Sequence, residues 1–271
     1  MHEKRLLCPT LPRLDRPAIL TDEEAHHAIR VLRLRDGDII EALDGQGRKA
    51  LVTLRTRGGP ARIEYLPVES LPLEDFKGHP SIPIILEMAV LKGTAMEWTV
   101  EKAVELGVTQ LVPVLTAHTV VQIKGKSPES FQMRWQKIAD QALKQCGRLS
   151  KMEVKLPLSF ENLITETVRS ESPRVRLWCD EKASGIARPL LEWLRLPNSL
   201  NHSEIRILVG PEGGWSSLER SILVTESEPP KTEQARMTEN VRVDLGPVTL
   251  RAETAALFAT SLVTSHVSLI K

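Results

Sequence analysis

Residues 208–216 read Leu208-Val209-Gly210-Pro211-Glu212-Gly213-Gly214-Trp215-Ser216. An apolar run over 205–209 breaks there into a glycine-rich turn, and Ser216-x-x-Glu219 is a capping box that opens a helix over 216–224. Parallel α/β folds bind ligands where strands end and helices begin. Glycines at such a point let main-chain N–H groups approach a ligand with no Cβ in the way. A tight strand-to-helix turn with no ligand accounts for the same spacing. The stretch is not G-x-G-x-x-G, and no Lys-Ser/Thr follows it, so neither the dinucleotide nor the P-loop reading gains support.

Asp244-Leu245-Gly246-Pro247-Val248-Thr249-Leu250-Arg251-Ala252-Glu253-Thr254-Ala255 repeats the plan: a strand over 241–245, a glycine turn, and a helix over 251–267. Arg251 and Glu253 stand at the helix start. A carboxylate suits the helix dipole there and an arginine does not, which hints at a task for Arg251; a surface ion pair between the two is the plainer reading.

Working outward, residues from Ile84 onward alternate apolar strands (84–90, 110–115, 152–156, 174–179) with amphipathic helices (95–106, 128–146, 159–169, 186–195). That alternation predicts a parallel sheet covered on both faces. Gly107 suits the residue after a helix end, and Ser127-Pro128 suits a helix start. Residues 225–240, TESEPPKTEQARMTEN, read as an exposed insertion. The first third differs. Thr21-Asp22-Glu23-Glu24 is a capping box for a helix over 22–34, stopped by Asp36-Gly37-Asp38, and strand-like runs at 39–44, 49–55 and 62–66 are punctuated by Gly45-Gln46-Gly47 and Arg57-Gly58-Gly59-Pro60. This predicts a small, mostly β domain over 1–76, a proline-bearing linker with its boundary near 75–80, and an α/β domain over 77–271.

The 271 residues carry 36 Lys and Arg against 35 Asp and Glu, so an anionic partner has to be met by a local patch. Residues 124–155 hold eight basic and three acidic side chains, and residues 30–62 eight and four. Both segments are able to contact phosphates, and exposed lysines kept for solubility look the same. Glu97, Glu101 and Glu105, at i, i+4 and i+8 beside Lys102, read as a solvated helix face. His26 and His27 are adjacent and cannot share one ion, and no third ligand joins Glu23 and His27, so no metal is expected. Cys8, Cys146 and Cys179 show no CxxC spacing, which points to a reducing compartment. Charges and prolines interrupt MHEKRLLCPTLPRLDRP, and no apolar run reaches the ~18 residues of a membrane span, so a cytoplasmic protein without membrane attachment is expected. Five Trp, four Phe and one Tyr are too few for an aromatic stacking platform on single-stranded RNA.

The linked motifs HHAIRVLRLRDGD, KGTAMEWTVEKAVELGV, ALKQCGR, GPEGGW and LGPVTLRAETA, in this order over nearly the whole chain, resemble the bacterial family that methylates N3 of a uridine in 16S ribosomal RNA. The resemblance implies a SPOUT-type α/β methyltransferase domain with a trefoil knot, binding S-adenosylmethionine, working as a homodimer and preceded by a PUA-like β-barrel domain. It implies a cofactor site at Leu208, Gly210, Pro211, Glu212, Gly213, Gly214, Leu245, Gly246, Leu250 and Arg251. It sets Lys102, Glu105, Gln145 and Arg148 facing the same cleft or the partner subunit, and it gives Arg30, Arg33 and Arg35, with Lys102, Gln145 and Arg148, to RNA binding on the small ribosomal subunit. Trp215 stands where the family commonly has Phe, Val248-Thr249 where a basic residue and an aliphatic are common, and the 225–240 insertion is long. Uridine N3 carries a proton that has to leave. Arg251 is therefore the expected cation for the resulting anion, and Glu253, directly or through water, the expected base. An RNA-binding adaptor without activity and a nucleotide-dependent oxidoreductase are the readings from other classes.

Overall fold

The computed structural model describes residues 4–13, 15–65, 82–119, 127–168, 173–181, 187–227 and 238–268. The expected linker and most of the expected insertion at 225–240 lie outside these residues. Two compact units emerge, one built from Met1–Gly78 with Asp140–Lys151, the other from His79–Ala139 with Met152–Lys271.

In the first unit β1 (Arg5–Leu7), β2 (Ala18–Ile19), β3 (Ile39–Leu43), β4 (Lys49–Arg55) and β5 (Arg62–Tyr65) form one sheet in the order β1-β3-β4-β5-β2. The three long strands pair antiparallel, as their turns predicted, whereas β1 lies parallel to β3. Strands β1 and β2 are too short to carry a period in the sequence. Alternate residues Ile40, Ala42, Val52, Leu54 and Ile63 face one core with Leu6, Ala28 and Leu34.

The helix expected over 22–34 is shorter. α1 (Asp22–His26) runs into a wide turn, His27–Val31, in which Leu32 N–H bonds back five residues to the His27 carbonyl at 2.9 Å. Arg33, with φ +51°, ends it before Asp36-Gly37-Asp38 is reached, and this reversal delivers Leu34 to the core. Only half of the expected capping box forms. Thr21 Oγ1 accepts from Glu24 N–H at 3.3 Å, but the Glu24 carboxylate goes instead to Leu7 N–H (3.0 Å) and Lys144 Nζ (2.5 Å).

The second unit bears out the alternating pattern. It runs β6 (Ile84–Ala89), α2 (Thr94–Glu105), β7 (Gln110–Leu115), α3 (Pro128–Cys146), β8 (Glu153–Val154), β9 (Leu158–Ser159), α4 (Phe160–Val168), β10 (Arg174–Cys179), β11 (Arg188–Pro189), α5 (Leu190–Leu194), β12 (Glu204–Val209), α6 (Ser217–Glu226), β13 (Thr238–Asp244) and α7 (Ala252–Ser268). The last part of α3 is counted with the first unit. All strand pairs here are parallel, in the order β11-β13-β10-β12-β6-β7-β8 with β9 also beside β7. The helix expected over 186–195 begins only at Leu190, because Pro189 holds an extended ψ of 132° before it. The strand expected over 152–156 is only the two-residue β8, and β9 lies beyond its expected end. Gly107, with φ +87°, follows α2 as expected.

β6 is buried at every position, yet carries Glu87. A lone buried carboxylate costs several kcal/mol, and this one is met from β12 beside it and from β10 one strand further on. Arg176 donates to it at 2.6 and 3.0 Å and Arg206 at 2.7 Å. Arg206 also binds Glu204 at 2.6 Å, and Arg176 reaches Asn240 at 3.5 Å, so one ionic row crosses β6, β12, β10 and β13. No spacing rule exposes such a row in the sequence. Among the described residues, no helix is long and apolar enough to cross a membrane.

Candidate functional site

β10 lies between β12 and β13, so the carboxyl ends of three adjoining parallel strands meet beside the start of α2. They enclose a cavity of about 650 Å³ lined by Gly210–Pro211–Glu212 and Gly214 after β12, by Cys179–Asp180–Glu181 at the end of β10, and by residues 244–253 after β13, with Ala95 and Ala255 from α2 and α7. That volume suits a small-molecule ligand.

The first glycine turn is packed from behind. A Cβ on Gly210 would lie 2.9 Å from the Trp215 ring, and one on Gly214, where φ is +68°, 2.5 Å from Glu181 Oε1. Only glycine fits at these points, and the turn presents bare main chain to the cavity. Trp215 donates its Nε1–H to the Cys179 carbonyl at 3.2 Å, tying the turn to the end of β10. The Ser216–Glu219 capping box forms as expected, and Glu219 also accepts from Ala117 N–H at 2.7 Å. Glu212 accepts from Lys92 N–H at 3.3 Å. The second turn closes on itself, Gly246 N–H donating to Asp244 Oδ1 at 3.0 Å.

The lining is acidic. Asp180, Glu181, Glu212, Asp244 and Glu253 face it with Arg251 as the cation. Asp180 is fully buried and paired with both Arg220 and Arg242, the latter at 2.5 Å, while Arg220 also holds Glu181 at 2.5 Å. The Arg242 guanidinium lies 5.4 Å from the centre of the Trp178 ring. Burial pushes the Cys179 thiol up to about 12, so it stays protonated and is no nucleophile at neutral pH.

Of the residues expected at the site, Gly210, Pro211, Glu212, Gly214, Leu245, Gly246, Leu250, Arg251 and Glu253 line this cavity. Leu208 instead packs in the core with Trp178 and Trp215, and Gly213 turns toward His118. No ion pair joins Arg251 to Glu253 among the described residues, which removes the plain reading of that pair. Lys102 is held by Glu101 and Glu105, each at 2.7 Å, and does not line the cavity. Gln145 and Arg148 belong to the first unit, where burial lowers the pKa of Arg148 from its ordinary value. Arg30, Arg33 and Arg35 are exposed in that unit.

The two basic segments are partly neutralised locally. Lys144 pairs with Glu24, Lys151 with Asp140 and Arg134 with Glu97 in one, Arg48 with Asp44 and Arg55 with Glu64 in the other. Asp180 and Glu181 were missed in the sequence. Their signal is an acidic pair just past the strand RVRLWC, whose apolar end LWC marks where a parallel strand stops, the same rule that singled out Gly210. Among the described residues, no group of three or more His, Cys, Asp or Glu is arranged to hold a metal ion.

A family model described as an RNA methyltransferase domain matches residues 78–264, and one described as an RNA methyltransferase PUA domain matches residues 20–58. The ribosomal RNA small subunit methyltransferase E of Bacillus subtilis (strain 168) is 29% identical over 254 residues, 93% of this chain and 91% of that protein. The protein of the same name from Synechocystis is 30% identical over 244 residues, 89% of this chain and 70% of its own length. A crystal structure of a ribosomal RNA small subunit methyltransferase E from Neisseria gonorrhoeae bound to S-adenosyl methionine shares the fold, with a TM-score of 0.75, 24% identity and coverage of 97% of this chain and 98% of that one. With the α/β unit matched almost from end to end and a PUA domain ahead of it, the chain belongs to the RNA methyltransferase family.

Proposed function

We propose that this chain transfers the methyl group of S-adenosylmethionine to N3 of a uridine in the RNA of the small ribosomal subunit, and does so as a homodimer in the cytoplasm. The observation that carries the reading is the cavity at three strand ends, bare main chain on one wall and Arg251 on another. The residues suit the cofactor. Gly210 and Gly214 let the turn pack against Trp215 and Glu181 with bare main chain toward the cavity, and Glu212, Asp244 and Glu253, the lining carboxylates not ion-paired with an arginine among the described residues, suit a sulfonium cation. The names of the relatives over some nine-tenths of the chain support the substrate.

When bound, S-adenosylmethionine supplies a methyl group already activated on sulfur. The chain's own task is then to hold the uracil ring in line, which is worth about 7–11 kcal/mol in well-oriented reactions. Arg251 stabilises the negative charge that spreads over N3 and its flanking carbonyl oxygens as the proton leaves. Glu253, two residues past it in the first turn of α7, takes that proton directly or through water. A Cys179 thiol that stays protonated fits direct transfer without a covalent enzyme intermediate.

Purified protein given tritiated S-adenosylmethionine and undermethylated small subunits is expected to label RNA at uridine N3, identified by mass spectrometry of the digest. Calorimetric binding of the cofactor without label in RNA would favour an RNA-binding adaptor. Light scattering is expected to give twice the chain mass.

RNA docking in this reading rests on Arg30, Arg33 and Arg35, which form no ion pair among the described residues. The expected domain boundary suggests deleting residues 1–76 as a test, but residues 140–151 pack within the same unit and would be stripped of their partners. Charge reversal is cleaner. Replacing the three arginines together by glutamate is expected to weaken RNA binding more than tenfold at about 50 mM salt, and to lower the slope of log K against log salt by about two to three. Filter binding measures both, and cofactor affinity stays unchanged.

A further inference from the structure

The loop after β7 belongs to no motif discussed above, yet it reaches the first glycine turn. His118 Nδ1 lies 2.9 Å from the Gly214 carbonyl oxygen and 3.2 Å from that of Gly213. Carbonyl oxygens only accept, so Nδ1 carries the proton and donates to both. The ring is also seated: a Cβ on Gly213 would stand 3.1 Å from His118 Cβ.

The loop that presents this ring is itself anchored. Thr116 N–H donates to Thr119 Oγ1 at 2.9 Å, Thr119 N–H returns a bond to the Thr116 carbonyl at 3.1 Å, and Ala117 N–H reaches the buried Glu219 carboxylate at 2.7 Å. Glu219 spends its other oxygen on Ser216 N–H at 2.9 Å. Both ends of the segment from Gly213 to Ser216 are thus tied to one short loop, by His118 at the carbonyls and by Glu219 at the helix cap.

We infer that His118 is a positioning residue for the cofactor turn, its Nδ1–H fixing the peptide planes on either side of Gly214. The planarity of the peptide bond carries the argument. A carbonyl held on one side sets the whole following peptide unit, so two anchored carbonyls leave Gly214 little freedom to rotate. Gly214 most needs such a constraint, because it lines the cavity and sits at φ +68°, a conformation glycine leaves at little cost. Without the donor, the turn samples other shapes and the cofactor has to order it on binding, which lowers affinity.

The inference rests on S-adenosylmethionine being the ligand of this cavity, and the test separates the two. Asparagine places an amide N–H where histidine has Nδ1, and glutamine places it where histidine has Nε2. Titration calorimetry of S-adenosylmethionine into the full chain is expected to give His118→Asn within about threefold of the parent, and His118→Gln and His118→Phe about tenfold weaker, as the loss of one shared donor implies. Melting temperatures are expected to stay within a few degrees for all three, and the KM for RNA to hold.

Equal cofactor affinity in all variants, or His118→Asn as weak as His118→Phe, overturns the positioning role. So does a loss of affinity that merely follows a loss of melting temperature. A parent protein that binds no S-adenosylmethionine overturns the ligand reading instead.

Discussion

Arg251→Ala is expected to reduce methyl transfer to uridine by about a hundred- to a thousandfold while leaving S-adenosylmethionine binding within a few fold. That is the loss seen when a single preorganised group facing developing charge is removed, about 2.7–4 kcal/mol. The argument starts from position. Arg251 sits just before α7, where the helix dipole disfavours a cation, is exposed at the cavity, and has no carboxylate partner among the described residues. A cation kept in such a place is free to meet an anion that forms only during the reaction. Single-turnover rates with undermethylated subunits measure the chemical step, and calorimetry measures the cofactor. Loss of cofactor binding in the variant would make Arg251 a cofactor ligand and move the anion-stabilising role elsewhere.

Glu87→Gln is expected to destabilise the second unit by about 3–5 kcal/mol, the usual loss when one member of a buried ion pair is removed. The variant keeps the shape of the side chain but takes from Arg176, only 1% exposed, the carboxylate it binds in the middle of the sheet. For a unit of this size that corresponds to a melting transition lower by roughly 6–20 °C, read by calorimetry. Replacing Glu87, Arg176 and Arg206 together by methionine is expected to cost less than Glu87→Gln alone, because no buried charge is then left over.

The same group sets an acid limit on stability. Burial by itself would raise the Glu87 carboxyl, but the Arg176 and Arg206 guanidiniums outweigh it and hold it below the ordinary carboxylate range. A carboxyl lower in the folded than in the unfolded chain stabilises fully above the unfolded value of about 4.3, and that contribution is lost as pH falls from there through the folded value. The parent protein is therefore expected to lose stability steeply in that acid range, and Glu87→Gln to lack this part of the slope. Denaturant melts between about pH 3 and 7 test it.

The strands and helices of the second unit were legible because a strand covered on both faces, such as β7, is a nearly continuous apolar run, and each helix between them has its own start and stop signals. Both glycine turns were legible for the same reason, since they break such runs where a parallel sheet exposes its binding edge. The first unit was read less fully. β1 and β2 are two or three residues long, and α1 gives up its regular pitch to bring Leu34 into the core, a demand of packing that no local spacing carries.

Local patterning, in which each residue answers to neighbours a few positions away, was enough to place the parallel sheet, the two turns, and Arg251 and Glu253 together at one helix start. Long-range folding chose the rest. It set β10 between β12 and β13 and so brought Asp180 and Glu181 into the cavity wall. It joined Glu87 to arginines 89 and 119 residues away and carried His118 to carbonyls 95 and 96 positions on. Contacts of that kind depend on strand order and register, and those are settled by how whole faces bury against one another.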